Sequence, residues 1–242
     1  MTTARAAWLD ETIRTLARHT WVGGIWLVGS LGRGEADAYS DVDLVVAVDH
    51  TAPTTVFTDP VAGLGISGHI LYRRPKPRNA PKDGAYLAVG IDLAGLPVLV
   101  DVFVWPAATA TVSAGATVVY ERDVLPRSTL GFIPLMDQHR SDDRRGSDPD
   151  APGTVLMLVQ LAGKHLVRGN QPKLAGICDQ LAIPTDSCEV TALRTVLDQR
   201  IDTVTYMDST EGVRAVHRLL DLIERHLAGT LGPAIENSPD QH

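Results

Sequence analysis

The chain has 242 residues, of which 44% are hydrophobic and 21% charged, with a formal net charge of −7. These values describe an ordinary soluble globular protein with room for one large domain or two modest ones, and the acidic balance argues against non-specific nucleic-acid binding while leaving a cationic substrate open. Cys178 and Cys188 fit no common zinc spacing and suggest no disulfide scaffold, and no apolar run of signal-peptide or membrane-span length occurs, so the sequence reads as cytoplasmic.

Ala7, Leu9, Ile13, Leu16 and Ala17 recur at helical spacing and predict an opening amphipathic helix over 4–19. Strand-like segments follow at 24–29 and 42–48, then at 66–72, 85–93, 98–105 and 118–121, rich in β-branched residues and bounded by Gly and Pro. Ala94-Gly95-Leu96-Pro97 predicts a tight connection, so 85–93 and 98–105 should pair antiparallel. Residues 137–153 are charged, punctuated by Pro and Gly and poor in apolar side chains, as in a linker or exposed loop. Beyond them three helical periods appear: Leu156, Val159, Gln160, Gly163 and Val167; Leu193, Val196, Leu197, Ile201 and Val204; and Val213, Val216, Leu219, Leu220, Ile223 and Leu227. A shorter helix over 174–181 is stopped by Pro184. Short connections between about four helices predict an antiparallel bundle. The expected fold is α+β: a mixed sheet with flanking helices over 1–140, a helical domain over 150–232, and a disordered tail over 233–242.

Chemistry concentrates between Gly29 and Asp43. A Gly29-Ser30 turn follows the apolar run 24–28, and ten residues separate Ser30 from Asp41, which stands two positions before Asp43 at the head of the run 44–48. Side chains alternate along a strand, so Asp41 and Asp43 share a face while Val42 and Leu44 take the other. Two anions on one face beside a Gly-rich turn suit a divalent cation and a polyphosphate. The glycine spacing is wrong for a dinucleotide fingerprint, no Gly-Lys-Ser/Thr marks a P-loop, and neither a His-Glu-x-x-His zinc motif nor a Gly-x-Ser-x-Gly elbow occurs. Asp101 adds a third carboxylate within the otherwise apolar run 97–104. A lone ionised carboxylate there would cost several kcal/mol. Three converging carboxylates would repel by about 4 kcal/mol per pair at 4 Å and an effective dielectric of 20. Magnesium relieves that repulsion, because it takes carboxylate and phosphate oxygens octahedrally.

The string Gly-Ser-x-x-Arg-Gly-x-x-x-x-x-Ser-Asp-x-Asp-Leu over 29–44, followed by a strand Asp at 101, resembles the nucleotidyltransferase superfamily typified by DNA polymerase β. Within it the likeness is to the bacterial antibiotic nucleotidyltransferases such as the aminoglycoside adenylyltransferases. The stretch 163–170 resembles the basic Lys-x-x-x-Arg-Gly-Asp/Asn helix end of their helical domains. The resemblance implies a polymerase-β-like sheet that binds ATP and two Mg2+ ions held by Asp41, Asp43 and Asp101, with Gly29, Ser30 and Ser40 on the nucleotide. A hydroxyl of a small-molecule acceptor, an aminoglycoside first, would take AMP and release pyrophosphate. A lincosamide, or a protein or RNA hydroxyl as in toxin–antitoxin pairs, is the alternative acceptor, and a non-catalytic nucleotide-binding module the alternative class. Lys164 and Arg168, four apart on one helix face, either reach the triphosphate or form the cationic end of a helix. For the general base the candidates are Asp101, Glu189 and Asp179, and metal acidification of the hydroxyl would need none.

Overall fold

The computed structural model describes residues 2–201 and 209–229. Helix α1 (Thr2–Leu16) buries Trp8, Leu9, Thr12 and Leu16 at the spacing of one helical face. Strand β1 (Val22–Val28) leads through α2 (Gly29–Gly32) into β2 (Val42–Val48), which has the predicted bounds of the second strand. Strands β3 (His69–Pro75), β4 (Ala85–Leu93), β5 (Leu96–Pro106) and β7 (Thr117–Glu121) complete a six-stranded sheet in the order β3-β4-β5-β2-β1-β7. Only β2 and β5 pair in parallel, so the sheet is mixed. The predicted β4–β5 hairpin forms, and its loop residues Ala94 and Gly95 both take positive φ, 57° and 81°. That conformation matches the twist of a two-residue reversal, and Asp92 fixes it by accepting the Gly95 amide at 2.6 Å.

The sheet has two apolar faces. One carries Ile25, Leu44, Val46, Val100 and Val102 and is covered by α1 together with α3 (Thr55–Thr58) and α4 (Pro60–Gly63). The other carries Trp26, Val45, Leu99, Phe103 and Trp105 and is continuous with the apolar sides of α6 (Pro152–Val167) and α9 (Thr210–Leu227). Helices α7 (Gln171–Leu181) and α8 (Val190–Arg200) pack against α6. The structure is thus a mixed α/β assembly with helices on both faces of the sheet. Burial of two full layers of Val, Leu, Ile and Trp is its main driving force.

Several expectations shift. The third strand begins at His69 rather than 66, because Gly65 and Gly68 take φ of 65° and 122° and bend the chain ahead of it. Helices α3, α4 and α5 (Phe132–His139), and the two-stranded pairing of β6 (Val112–Ala114) with β8 (Arg127–Gly131), are short elements with no sequence periodicity to announce them. The reading of the cysteines is corrected: Cys178 and Cys188 form a disulfide that ties α7 to the turn before α8. Nothing in a spacing of two cysteines signals this, since the turn at Pro184 is what brings them within reach. Part of the 137–153 segment lies along the end of β3 and the residues after it, with Ser141 N donating to Ala80 O at 2.9 Å and Ser147 Oγ to Pro75 O at 2.9 Å. Val204 and the expected tail over 233–242 lie outside the described residues. Among the described residues no helix is long and apolar enough to cross a membrane.

Candidate active site

The parallel register of β2 and β5 sets Asp43 directly beside Asp101. Both share the parity of Val45 and Phe103, so they face the layer containing α6 and α9, while Val42 and Leu44 face the opposite core. The two carboxyl groups lie close enough for each to shift the other's ionisation. Burial, then the Asp101 charge, pushes Asp43 up to about 8, with Arg33 opposing weakly. Asp101 is raised as well, chiefly by burial, against the Tyr86 hydroxyl and the charges of Arg74 and Lys76. Tyr86, on β4, donates its Oη to Asp101 Oδ1.

Gly29 is wedged against this pair. Its φ is 66°, and a Cβ there would stand 2.1 Å from Asp43 Oδ2. Only glycine tolerates both the left-handed backbone and the contact, so the turn that opens α2 lies on the carboxylate. Ser30 follows it and is partly exposed.

Asp41 goes elsewhere. Its Oδ1 accepts Nζ of Lys164, which projects from α6 and is 1% exposed. Desolvation pulls the Lys164 ammonium well below a lysine's ordinary range, Arg168 adds to the pull, and Asp37 opposes it. One turn further along α6, Arg168 grips Asp37 in a fork, Nε to Oδ2 at 2.8 Å and Nη2 to Oδ1 at 2.6 Å, and reaches Ser40 Oγ at 3.4 Å. Ser40 Oγ in turn donates to Asp37 Oδ1 at 2.8 Å. From the other side of the loop, the buried Arg5 donates to the carbonyls of Asp37 and Ser40 at 3.0 and 2.7 Å. Burial raises Asp37, yet the bonds from Arg168 and Ser40 outweigh it and hold the carboxyl below its ordinary range.

Of the residues singled out in the sequence, Gly29, Asp43 and Asp101 are therefore brought together. Ser40, Asp41, Lys164 and Arg168 form a neighbouring set that joins the 37–41 loop to α6. Glu189 stands just before α8 without a side-chain capping bond and Asp179 lies on α7, both exposed. Asp37, Arg5 and Tyr86 escaped the sequence reading, because their partners lie 131, 35 and 15 residues away and no local pattern marks such contacts.

Among the described residues no cluster of three or more His, Cys, Asp or Glu side chains is drawn together. The Asp43–Asp101 pair nonetheless has the chemistry of a hard-cation site. It offers oxygen donors on adjacent strands whose burial disfavours their charge, with a glycine cradle at the side.

Residues 9–83 match the family described as nucleotidyltransferase domain, and this match supports a transferase of the nucleotidyltransferase superfamily. The matched stretch holds Gly29, Ser30, Ser40, Asp41 and Asp43, whereas Asp101, Lys164 and Arg168 come from beyond it. No curated protein matches the chain.

Proposed function

We propose that the protein transfers AMP from ATP to a hydroxyl of a small molecule in a Mg2+-dependent reaction. The observation that carries this reading is the Asp43–Asp101 pair with Gly29 pressed against it. Asp43 and Asp101 would hold the metal, joined by Asp41, in a polymerase-β-like catalytic domain over 1–140. Lys164 and Arg168 would serve the triphosphate from a helical bundle over 150–232. Bound Mg2+ would neutralise the triphosphate and acidify the attacking hydroxyl.

The residues of the chain do the rest. Gly29 and Ser30 admit phosphate close to the backbone, and Ser40 steadies the loop that carries Asp41. Lys164 is already charge-matched to Asp41, so a triphosphate that draws its ammonium away also frees that carboxylate. The acceptor oxygen forms a bond to the α-phosphorus while the bond from that phosphorus to the oxygen bridging to the β-phosphorus breaks. Pyrophosphate leaves with the bonding pair, and the hydroxyl proton passes to Asp101 or from there to water. Resemblance alone would name an aminoglycoside as the acceptor, an assignment that the Arg74 and Lys76 charges acting on Asp101 oppose, and the cytoplasm is the place where ATP would meet the acceptor.

Incubation with ATP, Mg2+ and a panel of alcohols, read by mass spectrometry for an AMP adduct and by pyrophosphate release, tests the reaction. Asp43→Asn should lower the rate about a hundredfold or more with the fold intact. An unchanged rate would remove the carboxylate pair from the mechanism.

A further inference from the structure

The register that pairs Asp43 with Asp101 continues across the sheet. Asp101 lies opposite Ala88 on β4, and Ala88 opposite Arg74 on β3. Residues in register share a face, so Asp43, Asp101, Ala88 and Arg74 form one row on the side of the helices. Arg74 is two strands from Asp101, roughly 10 Å at the usual strand spacing. On the intervening strand the row carries only the small Ala88, and the Tyr86 hydroxyl reaches in beside it to Asp101.

Two arginines are buried among the described residues, Arg5 and Arg74, at 5% and 8% exposure. Arg5 donates to two carbonyls. Arg74 makes no side-chain hydrogen bond among the described residues, its Nε is buried without an acceptor, and it meets a carboxylate only through the charge of Asp101. A guanidinium in that state is costly unless something outside the protein satisfies it. Lys76, two positions on, lies close enough to Arg74, Arg78 and Arg140 for their charges, after burial, to bring it down to about 8. Arg140 bonds Asp137 through Nη2 at 2.6 Å, but its Nε is also buried and unpartnered. The carboxylate that these cations feel is Asp101, which is already engaged by Asp43 and Tyr86.

Position gives the cluster a role. The nucleotide end of the row is the Gly29 turn beside β2, and the strand order continues through β5 and β4 to β3. In-line displacement brings the attacking oxygen from the side opposite the leaving pyrophosphate, which is the Arg74 side. We propose that the acceptor alcohol carries a phosphate group, seated on Arg74 and Lys76 with Arg78 and Arg140 at its rim. The inference rests on the nucleotidyl-transfer reading of the carboxylate pair. Although the whole chain is acidic, this local field is positive and would repel a polycationic aminoglycoside while steering a dianion toward Asp101.

The test uses the full chain saturated with Mg2+ and a non-hydrolysable ATP analogue, titrated with inorganic phosphate by calorimetry. Wild type should bind phosphate, and Arg74→Gln and Lys76→Gln should each weaken it at least tenfold without changing affinity for the analogue. Removal of an unpartnered buried charge should leave the melting temperature of Arg74→Gln equal or higher, and Lys76→Gln, at a more exposed position, carries the test should Arg74→Gln fail to fold. In turnover, phosphate-bearing alcohols should receive AMP, with KM raised by both substitutions and kcat nearly constant. Absent phosphate binding in the loaded wild type, equal binding in both variants, or transfer to aminoglycosides with KM unmoved by Arg74→Gln overturns the proposal. Failure of the transferase reading itself looks different: the Mg2+–ATP analogue then does not bind, while phosphate titration of the free protein still reports on Arg74.

Discussion

Asp43 and Asp101 are held where neither ionises easily, and their proton has a thermodynamic signature. The folded-state value of Asp43, about 8, lies above the ordinary carboxyl value near 3.9, so the folded protein binds the extra proton over that interval. Stability should therefore fall as pH rises from about 4 to about 8 and level off above, since the folded chain has then released the proton as well. A divalent cation that takes the ionised pair reverses the trend. Mg2+ should raise the melting temperature at pH 8 more than at pH 5, and Asp43→Asn should flatten the pH slope and remove the Mg2+ increment. Thermal melts across pH with and without Mg2+ read both effects, and a slope that survives in Asp43→Asn would dissociate it from this pair. At this scale the sequence was informative where chemistry and local pattern coincide. Asp in an apolar run and Gly before Ser stood out, and the contact of Gly29 with Asp43 shows why a glycine stands there. Arg74 was passed over for a physical reason: one Arg in a basic stretch is ordinary until its burial and lack of a partner are seen.

Among the elements, strands whose β-branched runs lie between Gly and Pro were legible, with β2 and β4 at their predicted bounds. Those with weak or interrupted alternation, β3 and β8, were shifted or missed. The row from Asp43 to Arg74 was not legible at all, because it depends on the register of four strands, and a one-residue slip would turn each side chain to the other face. The disulfide belongs to this scale. It closes a loop of about ten residues around the end of α7, which in the chain-entropy account is worth about 2–3 kcal/mol. Replacing Cys178 and Cys188 together by Ser should lower the melting temperature by several degrees, and reductant should do the same to wild type but not to the double variant. Coincident melts of oxidised and reduced protein would show that the bridge adds no stability.

The molecule as a whole is assembled by docking α6 on the sheet, and one glycine controls how closely it sits. A Cβ on Gly153 would meet the carbonyl oxygen of Arg73 at 2.1 Å, so Gly153→Ala must lift the start of α6 from β3. The expected cost is about 1–3 kcal/mol, as for other overpacked contacts. Lys164 and Arg168 ride on the same helix, so a higher KM for ATP should accompany the lower melting temperature. A normal KM with a lowered melting temperature would uncouple the helix seat from the nucleotide. By itself the sequence determined the strand and helix periods, the glycine turn and the carboxylates of one strand, because these are set by neighbours a few residues apart. Tertiary structure alone decided that Asp41 answers to Lys164, that Asp101 stands beside Asp43, and that Arg74 waits unpaired at the far end of their row. Those facts depend on strand order, register and helix docking, which bring together residues far apart along the chain.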